Sequence, residues 1–148
     1  MPKLRRHFLN FPNWIEGIAN LAGFQIERLC ETLVAIRCEL PEGRSQVVWV
    51  RLIGRDPLGN TIVSFASPAL KMGGGQFLNQ KKANDLLRQN TQLYHSTWAI
   101  DSVEGDDYLV MYDTQIAETM DAQEFAASVR ASAVLADEME KQLGQDDF

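Results

Sequence analysis

The segment K-M-G-G-G-Q at 71–76 comes nearest to a recognisable chemical motif in this chain. Glycine amides ahead of a helix can cradle an anion. The run has neither the G-x-x-x-x-G-K-S/T nor the G-x-G-x-x-G pattern of a nucleotide loop. It reads as a flexible connection between a strand and a helix, with Lys81 and Lys82 as surface residues of the helix's first turn. Asp101, Glu104, Asp106 and Asp107 supply the oxygen ligands that calcium takes. Their spacing is not that of the D-x-D/N-x-D/N-G loop, and Asp with Gly equally suits an acidic hairpin turn.

His7 and His95 are the only histidines. A general base needs a nucleophile or proton donor within hydrogen-bond reach. His95 has Ser96 beside it, but neighbouring strand residues point to opposite faces, and no G-x-S-x-G elbow is present. Cys30 and Cys38, eight positions apart, form no C-x-x-C pair and have no histidine cluster nearby. They read as structural thiols in strand sequence, not as a zinc or redox centre, which points to a reducing compartment. No catalytic residue, metal ligand or cofactor site is signalled.

The elements that must position these residues belong to one domain. A chain of 148 residues buries roughly 68–70% of its unfolded surface, enough to fold without staples. Apolar residues make up 45% and charged residues 23%, a globular composition. A net charge of −6 argues against a nucleic-acid partner, which needs a positive surface. Lys3, Arg5 and Arg6 resemble the charged start of a signal peptide, but Asn10, Pro12, Asn13 and Glu16 break the apolar run that such a peptide needs next. No apolar stretch reaches the length of a membrane span. A cytoplasmic protein is expected, with residues 1–12 a flexible basic arm, 13–143 the domain and 144–148 an acidic tail.

Hydrophobic spacing divides the domain into segments. Ile15, Ile18, Ala19 and Ala22 predict a helix over 13–22, with Asn13 and Glu16 as its capping box, Pro12 as an upstream stop and Gly23 at its end. Alternation then predicts strands around Phe24 and Ile26, over 33–40, over 46–53 and over 61–66, with turns at 41–43 and 55–60. A helix beginning at Gln76 or Gln80 runs to Asn90, placing Phe77, Ala83, Leu86, Leu87 and Asn90 towards one side. Strands over 94–100 and 108–113 flank a polar turn over 101–107. The last helix has Asp121 as cap, Glu124 completing the capping box and Met120 stapled to Phe125. Its stripe is Phe125, Val129, Ala133, Ala136, Met139 and Leu143; Asp137, Glu138, Glu140, Asp146 and Asp147 make its end acidic. The fold class is α+β, two-layered, in the order α-β-β-β-α-β-β-α, with helices packed on an antiparallel sheet.

The strand over 46–53 is apolar on both sides. Val48, Val50 and Leu52 line one face, while Val47, Trp49, Arg51 and Ile53 line the other. A sheet apolar on both faces must cover both. Either helices do so, or one face meets a second copy or a partner. Val47, Trp49, Ile53, Trp98 and Tyr108 form the candidate protein-binding or dimer patch, with core packing as the alternative.

L-L-R-Q-N at 86–90, Leu93, Trp98, Ile100, Tyr108, Asp121, Phe125, Ala136, Asp137 and Leu143, set in this order of elements, carry a family likeness. Over about residues 13–143 the chain resembles the type III secretion chaperone-like fold and is most similar to its YbjN-like branch of bacterial proteins. The resemblance implies a homodimeric chaperone or adaptor that binds protein and does no catalysis. The departures are the glycines at 73–75 and the extra strand-like segment after Gly23. A different class stays open: a small-ligand-binding or signalling regulator, or a small enzyme, whose site lies between the glycine loop and the acidic hairpin.

Overall fold

The computed structural model describes residues 10–73, 78–143 and 148. The basic arm at 1–9, glycines 74 and 75, Gln76, Phe77 and residues 144–147 lie outside these.

Helix α1 spans Phe11–Leu21. Asn10, not Asn13, is its cap: the Asn10 side chain accepts the Asn13 backbone N–H at 3.3 Å. Pro12 does not stop the helix; it sits in the first turn, where the missing N–H removes no helical bond. Phe11 and Pro12 are thus buried helix residues rather than part of a flexible arm. Asn13 and Glu16 have another use, since both receive the guanidinium of Arg28. The helix ends as expected at Gly23, whose φ of +87° lets Phe24 and Gly23 donate back to the carbonyls of Ala19 and Asn20.

Among the described residues six strands follow in one antiparallel sheet: β1 (Ile26–Cys30), β2 (Leu33–Glu39), β3 (Ser45–Arg55), β4 (Thr61–Lys71), β5 (Thr97–Val103) and β6 (Asp106–Ile116). Their spatial order is β1-β2-β3-β4-β6-β5. The architecture is the expected α+β one, and the strand-like segment after Gly23 contributes the edge strand β1. Residue boundaries differ where turn chemistry intervenes. β5 starts at Thr97 because His95, at φ +68°, makes a tight turn in which Ser96 donates to the Tyr94 carbonyl at 2.8 Å. The acidic turn shrinks to Glu104 and Gly105, both at positive φ (52° and 87°), the two-residue geometry that suits a right-twisted hairpin.

Helix α2 spans Gln80–Gln89 and α3 spans Ala122–Gln142. Asn79 caps α2 by accepting the Lys82 N–H at 2.8 Å. Leu86 is its buried residue, whereas Leu87, expected on the same side, is 64% exposed. In α3 the capping box of Asp121 and Glu124 is complete. Met120 and Phe125 are buried in the same cluster. Its acidic end is not a solvated face: Asp137 and Glu140 are buried along with Ala133 and Ala136. Asp137 accepts from Arg44 Nε at 2.7 Å and lies 3.7 Å from Lys141 Nζ, tying the helix to the turn before β3.

Helices α1, α2 and α3 all pack on one side of the sheet. Phe11, Ile15 and Ala19 of α1 and Phe125, Val129 and Ala133 of α3 meet Val34, Ile36, Val48, Val50, Val63 and Phe65. Leu86 of α2 and Ala136 and Met139 of α3 meet Trp98, Leu109 and Met111. Trp98 is therefore a core residue of the helix-covered side, 7% exposed, with its indole N–H donating to Gln89 Oε1 at 3.0 Å. It does not belong to the patch with Trp49.

Candidate functional site

Strand pairing assigns the other face residue by residue. Trp49 lies opposite Ala66, which lies opposite Tyr112; Val47 alternates with Val48 on β3, and Tyr108 and Val110 share the side of Tyr112 on β6. Leu33, Ala35, Arg37 and Arg51 continue this side. Asp101 of β5, paired with Tyr108, does so too. Among the described residues no helix covers it. Ile53 sits where the register of β3 shifts between Leu52 and Gly54, and is exposed.

This face is concave. Arg51 on β3 donates to the Ser102 carbonyl at 3.2 Å and stands 3.7 Å from the Asp101 carboxylate on β5, yet β4 and β6 lie between those strands. In a flat sheet, three strand spacings amount to about 14 Å, well beyond the reach of an arginine. The sheet must curl towards its helix-free side for the two to meet. Register shifts at Leu52/Gly54 and Pro68/Leu70 provide the bends. The same curl brings the Trp49 ring edge-on to Tyr108, with centroids 5.0 Å apart at 63°. Beneath them Ala66 and Val110 are 1% and 0% exposed. Trp49, Val47 and Tyr108 remain half-exposed. Beside Val47, a half-open groove of about 280 Å³ runs between Gln25, Glu27, Ala35 and Arg37. Of the expected patch, Val47, Trp49 and Tyr108 come together, while Trp98 lies through the sheet from them.

The alternative chemistry has a different setting. The glycine segment and acidic hairpin do adjoin, through Met72 N–H donating to the Asp107 carbonyl at 2.8 Å. Three of the four acidic side chains there are engaged: Asp101 by Arg51, Asp106 by Lys71 at 3.3 Å, and Asp107 by the Ser102 hydroxyl. Among the described residues no three His, Cys, Asp or Glu side chains are grouped as metal ligands.

A polar cluster that the residue pattern did not single out lies between β6 and α3. Ser128 Oγ donates to Asp113 Oδ2 at 2.7 Å and receives Gln115 Nε2 at 3.1 Å; Thr114 N–H donates to Asp113 Oδ1 at 2.8 Å. Burial pushes the Asp113 carboxyl above the ordinary aspartate range, against the Ser128 and Thr114 hydrogen bonds and the nearby His95. Ser128, on the inner side of α3, is 0% exposed and donates a hydrogen bond to the Asp113 carboxylate, which anchors the helix layer to the sheet. Its signal was available, because Ser128 and Ser132 fall on the buried stripe of α3 at three- and four-residue spacing.

The cysteines differ from each other. Cys38 is buried, and burial raises its pKa. Cys30 is exposed at the sheet edge rather than buried, and hydrogen bonding from the Thr32 backbone, then its side chain, lowers its pKa.

Compared with known protein families, the chain matches no family model. It has no significant match among curated proteins. None of the helices, among the described residues, is long and apolar enough to cross a membrane.

Proposed function

We propose that this chain is a non-enzymatic, cytoplasmic protein-binding module of chaperone or adaptor type, and that its working surface is the concave helix-free face around Trp49 and Tyr108. One observation carries the reading: a half-exposed tryptophan and tyrosine are held ring to ring on a sheet face that no described helix covers. Partly exposed aromatic pairs over a desolvated floor are frequent anchors of protein interfaces. The curl of the sheet gives the surface a trough that suits an extended segment. The resemblance to the secretion-chaperone-like fold supports the same role, and the same face in a second copy would give the homodimer that it implies.

Replacing Trp49 with Asp tests this. The variant is expected to keep its circular dichroism spectrum and lose capture of partners held by the wild-type chain in cell extract. Undiminished capture by the folded variant would end the reading. A strict monomer by light scattering at micromolar concentration would end the dimer alone.

A second reading is a small-ligand site where Met72 meets the acidic hairpin at Asp107. A ligand there stabilises the fold by mass action. Thermal shifts with nucleotides and divalent cations would detect it, and the absence of any shift would remove it.

A further inference from the structure

The ring contacts that start at Trp49 continue past Tyr108. Phe148 stands edge-on to Tyr108, centroids 6.0 Å apart at 75°, and is half-buried there. Helix α3, which packs on the opposite layer, ends at Gln142, so five residues separate it from Phe148. An aromatic side chain of the chain itself is thus seated on the open face, next to the residues assigned to the binding surface.

The seat favours a ring over a charge. Arg51, beside Trp49, is already engaged by Asp101 and the Ser102 carbonyl. What remains for an incoming group is the edge and face of Trp49 and Tyr108, which pair best with another aromatic in a tilted arrangement. Phe148 adopts that arrangement. A single ring-to-ring contact is also readily exchanged.

We propose that the Trp49–Tyr108 face receives an aromatic side chain from a peptide segment of its partner, and that Phe148 is a tethered occupant the partner must displace. This rests on reading the face as a protein-binding surface. Short tethers hold a group at an effective concentration in the millimolar range. At an effective concentration of about 1 mM, the ring fills the seat more than half of the time if its untethered dissociation constant is below about 1 mM, and weakens an external competitor at least about twofold.

The test uses the full chain and a fluorescein-labelled peptide with the sequence of residues 143–148, read by fluorescence anisotropy. Phe148→Ala should bind the peptide at least about twofold more tightly than wild type. Adding Tyr108→Ala to Phe148→Ala should abolish binding, as should replacing the peptide's phenylalanine by alanine. Circular dichroism confirms that each variant is folded. Equal affinity of wild type and Phe148→Ala overturns the displacement mechanism; if Trp49→Asp still loses partner capture, the binding face survives that failure. Peptide binding that ignores Tyr108 overturns the seat itself. A wild-type dimer that becomes monomeric on Phe148→Ala means that the ring docks between copies, which also overturns the tethered form.

Discussion

Arg51 and Asp101 face each other at 3.7 Å although two strands of the sheet separate them. The pair acts as a strut across the mouth of the trough and holds β5 towards β3. Both side chains are partly exposed, 28% and 20%, so their attraction is screened and contributes at most about 1 kcal/mol to stability.

Arg51→Met is accordingly expected to leave the melting temperature almost unchanged while loosening the curl. Hydrogen exchange read by mass spectrometry should show faster exchange over 97–103 and unchanged rates in α3. Unchanged exchange in β5 would show that the strut is idle.

Asp113→Asn separates burial from hydrogen bonding. The folded carboxyl titrates above its unfolded value because burial disfavours the charge. Protonated Asp113 therefore stabilises the fold below the ordinary aspartate pKa of about 3.9, and that contribution disappears as pH rises through the folded value. The asparagine variant cannot ionise. Its stability relative to wild type should rise as pH increases across that window, in chemical denaturation at several pH values. A difference that does not change with pH would contradict the assignment.

Titration of the native chain with a thiol-specific alkylating reagent should show one fast and one slow cysteine. Cys30 is exposed with a lowered pKa, and Cys38 is buried with a raised one. Because the thiolate is the reacting form, their rates should differ by more than about tenfold. Peptide mapping should place the first label on Cys30. Label on Cys38 first would mean that the β2–β3 core opens readily.

Asp137→Ala should destabilise the fold by about 1.5–3 kcal/mol, since it removes a largely buried, charge-assisted hydrogen bond between Asp137 and Arg44. Glu138→Ala on the neighbouring position serves as the control in the same denaturant series. Equal effects would mean that the Arg44 contact contributes nothing.

Local signals in the chain account for most of the framework. Asp121 with Glu124 and Gly23 marked helix ends correctly because caps use only neighbouring residues. The cap of α1 was displaced by three because Asn10 and Asn13 offer the same chemistry, and a proline is tolerated in a first turn. Trp49 was placed by its contrast with Val48 and Val50. Trp98 was not, since Thr97, Ala99 and Ile100 leave the strand's inward side ambiguous until α2 and α3 are packed on it. Asp137 and Glu140 fall at helical spacing with Ala133 and Ala136 and so lay on the buried stripe. Arg44, which makes Asp137 tolerable there, is 93 positions away in sequence. The curl depends on bulges and on the Arg51–Asp101 pair, long-range features that no local pattern displays.

Under the proposed function, partners meet the helix-free face. A photo-crosslinking amino acid placed at Trp49, and separately at the exposed Leu87 of α2, tests this in cells. Covalent adducts are expected from position 49 and none from position 87; adducts from 87, or equally from both, would contradict that reading.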